Sequence, residues 1–101
     1  MNDKPIRVQL HRKKGWRLPQ NTVSVARPTK WGNPFRFHGL THEGREEARL
    51  ESVKQFEAMW MKHDAETIRK LIAPLRGKNL ACWCPLSSKC HADVLLRIAN
   101  P

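Results

Sequence analysis

At 101 residues and 40% hydrophobic content, the chain suits one domain with a modest core. No run approaches the roughly 20 apolar residues that cross a bilayer, and the opening Met1-Asn-Asp-Lys-Pro-Ile6 is too polar for a secretion signal; this argues against a membrane partner and for the cytoplasm. The formal charge of +10 is lopsided: residues 1–40 hold nine of the 19 lysines and arginines but one of the nine acids, a distribution suited to a polyanionic partner.

Ile6, Val8 and Leu10 alternate with Arg7, Gln9 and His11, the pattern of a half-buried strand, with residues 1–5 as a flexible lead-in. Residues 11–19 are a basic loop containing Gly15 and Pro19, and 22–26 form a second short strand. Pro28, Gly32 and Pro34 oppose regular structure through Phe35, after which Phe35 and Phe37 suggest a further extended piece. Residues 44–62 have helical spacing, with Leu50, Val53, Phe56 and Trp60 as the inward stripe and Glu43, Glu46 and Glu47 near the start. Asp64 is placed to cap a second helix whose stripe is Ile68, Leu71, Ile72 and Leu75; Pro74 should distort its end and Gly77 stop it. A strand at 79–83 and a helix at 91–99, with Val94, Leu95 and Ile98 inward, complete the order β-β-α-α-β-α. The expectation is a small single-domain α/β fold over 1–101, a sheet layered with helices in two or three layers.

All three cysteines fall between Cys82 and Cys90, followed at once by His91 and then Asp93. Cys82 and Cys84 are two apart on an expected strand and so share a side, while Cys90 and His91 open a helix. Strand ends and helix starts are where open α/β sheets carry ligands, and a helix start favours anions and thiolates. Three readings compete. Cys82, Cys84, Cys90 and His91 have the donor types of a zinc site, although neighbours on a helix point about 100° apart, which would leave Cys90 or His91 off the metal. Alternatively Cys84 or Cys90 is a nucleophile or redox thiol, supported by His91 or Asp93. In the third reading the cysteines are small buried apolar groups, and Asp93 is a first-turn acid.

The second landmark is Arg27-Pro-Thr-Lys-Trp-Gly-Asn-Pro-Phe35. Arg27 and Lys30 supply charge, Trp31 and Phe35 flat surfaces, and Asn33 an amide able to read a base or ribose edge; Trp16 and Arg17 repeat the pairing in the other basic loop. Interleaved aromatic and basic groups suit stacked bases and phosphates. The plainer alternative is that Trp31 and Phe35 plug the core and Asn33-Pro34 is a turn. His38, His42 and His63 read as surface residues.

Lys14-Gly-Trp-Arg-Leu-Pro19, Asn21-Thr-Val23, the Arg27–Phe35 block, Leu75-Arg-Gly-Lys-Asn-Leu-Ala-Cys-Trp-Cys-Pro85 and Cys90-His-Ala-Asp-Val-Leu-Leu96 together resemble a family of phage and bacterial proteins known as domain of unknown function 4326. The resemblance covers about residues 6–100. It implies that the two signature blocks lie together and suggests a phage setting, but no activity. The combined expectation is a basic domain that binds or acts on a nucleotide or nucleic acid through the Cys/His turn and the aromatic loop. Two alternatives stand beside it: a non-catalytic, zinc-stapled nucleic-acid-binding module, and a protein that binds a host protein.

Overall fold

Three short strands, β1 (Arg7–Gln9), β2 (Thr22–Ser24) and β3 (Asn79–Cys82), form one sheet in the order β1-β3-β2, with both pairings parallel. The computed structural model describes residues 4–27, 29–35 and 42–100. The register sets Gln9 beside Cys82 and Ser24 beside Ala81, so the three strands end on the same side of the domain. Two further bonds extend the ladder there, from the Leu10 N–H to the Cys82 carbonyl (2.9 Å) and from the Val25 N–H to the Ala81 carbonyl (2.8 Å). β3 is buried at Leu80, Ala81 and Cys82, which is why the middle strand reads as a continuous apolar run rather than an alternating one.

The helices are α1 (His42–Met61), α2 (Ala65–Ile72) and α3 (His91–Ala99), with a 3₁₀ turn at Ala73–Leu75. α3 packs on β3 and β1, and α1 and α2 pack on α3. The element order is the one expected from the sequence. Asp64 caps α2 by accepting the Thr67 N–H at 2.7 Å, which holds its carboxyl below the usual range. Pro74 brings no N–H to the helical ladder, and the chain tightens into the 3₁₀ turn before Gly77 turns it with a φ of +74°. The core joins Phe56 and Trp60 of α1, Ile72, Leu75, Leu80, and Val94 and Leu95 of α3. Among the described residues no helix is long and apolar enough to cross a membrane.

Two sequence expectations shift: Leu71 on α2 is 47% exposed and Leu50 on α1 is 41% exposed, neither inward. At 100° per residue Leu50 stands about 120° around α1 from Phe56, whereas Arg49, Ser52 and Val53 stand within about 60°. The inward face of α1 therefore begins with polar residues. The extended piece proposed at Phe37 lies outside the described residues.

Candidate metal and ligand site

The carboxyl ends of the strands open into a cavity of about 440 Å³ lined by both the cysteine turn and the Arg27–Phe35 loop. Cys82, Trp83, Cys84, Pro85, Cys90 and His91 form one wall. Ala26, Arg27, Asn33 and Phe35 form the other, and Arg12, Arg49, Ser52 and Val53 complete the lining. This is the position that a parallel α/β sheet favours for a ligand, because the loops leaving each strand meet there.

The Cys/His wall is a cluster. Cys82, Cys90 and His91 are buried, and their donor atoms lie within 4.8 Å of one another. Cys84, half-buried, brings its Sγ to 3.8 Å from that of Cys82. Cys82 is the last residue of β3, and the chain bends at Trp83 and Cys84, so Cys84 lies beyond the strand rather than on it, with its sulfur still beside that of Cys82. Cys90 and His91 do not diverge. Cys90 is the N-cap of α3 and has extended backbone (φ −148°, ψ 152°), so the 100° helical offset does not apply. Its Sγ lies 3.5 Å from His91 Nδ1, which is also 3.9 Å from Cys82 Sγ. His91 Nε2 lies 2.8 Å from the Val25 carbonyl oxygen. A carbonyl only accepts, so Nε2 carries a hydrogen, and in the neutral ring Nδ1 then turns its lone pair to the sulfurs. The Cys82 thiol is held below its ordinary range, first by its hydrogen bond with Cys84 and next by that with Cys90, with burial opposing. Cys84 and Cys90 are pushed up, chiefly by their hydrogen bonds with Cys82.

Arg7 fastens this wall from the opposite end of the chain. Its guanidinium donates to the Pro85 and Leu86 carbonyls (2.9 and 2.7 Å) and to Asp93 (3.0 Å). The same Asp93 oxygen accepts the Cys90 N–H at 3.1 Å. Asp93 therefore caps α3 and anchors Arg7; it does not line the cavity. Ser88 adds a tie to Glu46 of α1 at 3.3 Å, and Glu46 also pairs with Arg49 at 3.3 Å.

The second block is held by its own polar groups. Asn33, buried, donates from Nδ2 to Ser52 Oγ (2.9 Å) and accepts the Phe35 N–H at Oδ1 (2.9 Å), while Ser52 Oγ donates to the Phe35 carbonyl. Its amide lines the cavity but is engaged in binding the loop to α1. Gly32 is required by the loop itself: a Cβ there would lie 2.6 Å from Arg27 Cγ and 3.0 Å from Arg27 Cα. Trp31 stacks on Trp60 (6.4 Å between centroids, 11° between planes) with Lys30 over its ring at 4.9 Å, and both line a separate cavity of about 140 Å³ that His63 also borders. Trp31 and Phe35 pack against the core, as the plainer alternative held. Trp16 meets the edge of His11, and neither Trp16 nor Arg17 lines the main cavity. His38 and the side chain of His42 fall outside the described residues.

Of the expected ligand-binding residues, Arg27 and Asn33 reach the main cavity, whereas Lys30, Trp31, Trp16 and Arg17 do not. Arg12, Arg49, Ser52 and Trp83 do, and Arg12 lies over the Trp83 ring at 5.1 Å. A polar pair on the otherwise apolar stripe of α1 was the signal for Arg49 and Ser52. No sequence signal marked Arg12 within its basic run.

Together these features define a small parallel α/β domain whose Cys/His cluster, able to hold a metal ion, sits at the carboxyl edge of the sheet beside an arginine-lined cavity. The chain belongs to the family described as Domain of unknown function (DUF4326), whose sequence model matches residues 8–101. No curated protein and no solved structure matches it.

Proposed function

We propose that the cleft binds a nucleotide, free or as an unpaired nucleotide of a nucleic-acid strand. The observation that carries this reading is the convergence of Arg12, Arg27 and Arg49, from three separate segments, on one cavity also lined by Trp83 and Phe35. Guanidinium groups pair with phosphate oxygens in bidentate fashion, and Trp83, 45% exposed, offers a face on which a base can stack. The amino end of α3 adds backbone dipole of the sign that favours an anion. The role of the Cys/His cluster is to hold one wall rigid. Asp93 and His91 are engaged with backbone groups, so binding is the reading favoured over turnover.

Calorimetric titration with nucleoside triphosphates, nucleosides and inorganic triphosphate tests it. Nucleotides should bind more tightly than either fragment, and Arg27→Ala should weaken them about tenfold, the loss of one charge-assisted contact, while leaving Tm unchanged. Absence of binding by nucleotides and by short single strands at low salt would end the reading.

A second reading, a zinc-stapled module that holds nucleic acid by its backbone, is favoured by the exposed basic run around Arg12, Lys13, Lys14 and Arg17. It predicts affinity for long single or double strands that falls steeply with salt and ignores base identity.

A further inference from the structure

We infer that Cys82, Cys84, Cys90 and His91 form a tetrahedral zinc site joining the end of β3 to the start of α3. This assignment stands apart from the identity of the cleft's ligand. Three sulfurs and one imidazole nitrogen are the donor set of structural zinc. Bonds of about 2.3 Å to sulfur and about 2.05 Å to nitrogen place neighbouring sulfurs about 3.8 Å apart, and a sulfur and nitrogen about 3.6 Å apart, in a tetrahedron. The observed separations are 3.8 Å for Cys82–Cys84, 3.5 Å for Cys90–His91 and 3.9 Å for Cys82–His91. Cys82, Cys90 and His91 are the set whose donor atoms all lie within 4.8 Å of one another, and the half-buried Cys84, placed by its contact with Cys82, must close on the other two to complete the tetrahedron.

The surroundings agree with the donor spacing. Metal-bound imidazoles characteristically give their second N–H to a carbonyl or carboxylate, which fixes the ring and leaves the other nitrogen bare. Val25 supplies that carbonyl to Nε2, and the bare Nδ1 faces Cys82 and Cys90. The segment carrying Cys84 and Cys90 is restrained by Arg7 at both Pro85 and Leu86, and Arg7 reaches the Cys90 backbone through Asp93. Binding displaces the thiol protons that remain, so zinc with three thiolates and a neutral imidazole carries one net negative charge. The cavity's three arginines exceed that charge even with Glu46 paired to Arg49, so an anionic ligand in the cleft remains favourable.

The test is metal analysis of the untagged protein, followed by replacement of the metal with cobalt. The expected result is one zinc per chain, and a cobalt form with the visible bands of a tetrahedral ion and sulfur-to-cobalt charge transfer. His91→Cys should keep one metal and shift those bands toward a four-sulfur pattern. This conservative variant remains informative if His91→Ala fails to fold. Cys84→Ser, the least buried ligand, should hold zinc at least tenfold more weakly in competition with a chromogenic chelator. Unchanged zinc affinity in Cys84→Ser would overturn the four-ligand assignment. A folded, metal-free protein that takes up no added zinc would overturn the site, whether its thiols are inert, oxidised to a Cys82–Cys84 disulfide, or include one fast-alkylating nucleophile. Loss of nucleotide binding in Arg27→Ala with zinc retained would separate the two proposals.

Discussion

The cysteine turn and the Arg27–Phe35 loop border one cavity, yet they use their chemistry in opposite ways. Around Cys82–His91 the backbone is held by other residues, Arg7 above all, and the reactive atoms converge on one another. Around Arg27–Phe35 the distinctive residues hold the loop itself: Asn33 and Ser52 lock its end, Gly32 admits the Arg27 backbone, and Trp31 packs on Trp60. Among the described residues of this loop, Arg27 is the charged side chain that lines the main cavity. The comparison teaches that two equally conspicuous stretches of sequence can be a donor cluster in one case and a rigid brace in the other.

The strongest way to break this contrast is Cys90→Ala. If the cluster binds metal, the variant should lose zinc, and Tm should fall by on the order of 20 °C in thermal unfolding. Next is Gly32→Ala. The new methyl would press on Arg27 backbone as well as its flexible side chain, and urea unfolding should show a loss of about 3 kcal/mol with the metal retained. Asn33→Ala leaves Ser52 and the Phe35 N–H without their buried partner. It should cost about 2 kcal/mol in the same assay, again with zinc stoichiometry unchanged. If Asn33→Ala instead left stability intact and abolished nucleotide binding, the brace would be a reader and the contrast would collapse. The smallest effect belongs to Asp64→Ala, remote from both blocks. Because the folded carboxyl is held below its ordinary value, its contribution is present at neutral pH and lost as pH falls through the folded value. The Tm difference between wild type and variant should therefore be slight at pH 7 and close below about pH 4.

Much of the fold was legible because local signals agreed with one another. Asp64, Pro74 and Gly77 punctuated α2 and its turn, and the alternation at Ile6–Leu10 marked a half-buried strand, since each rests on short-range sterics or hydrogen bonding. That all three cysteines and His91 gather at one turn was legible in the sequence; that their donor atoms converge was not, because it depends on how the chain bends after β3. The apparent divergence of Cys90 and His91 was misleading because it assumed a helical Cys90, and a cap residue is extended. Leu50 misled through hydrophobicity, when the wall of the cavity required Arg49 and Ser52 on that face. Arg7 could not be read at all: on an alternating strand it counts as an outward polar residue, and its partners lie 78 to 86 positions away.

The placement of β3 has a further consequence, for the order in which the molecule can come into being. β1 and β2 do not pair with each other; each pairs with β3, which is the last strand along the chain. Until residues 79–82 leave the ribosome, neither earlier strand has a hydrogen-bonding neighbour in the sheet, and the cavity has one wall at most. The sheet must then close by insertion of a central strand between two waiting edges, a step dominated by distant contacts and correspondingly slow. A nascent chain stalled before Asn79 should be protease-sensitive throughout, and protection should arrive in a single step once the cysteine turn and α3 have been synthesised.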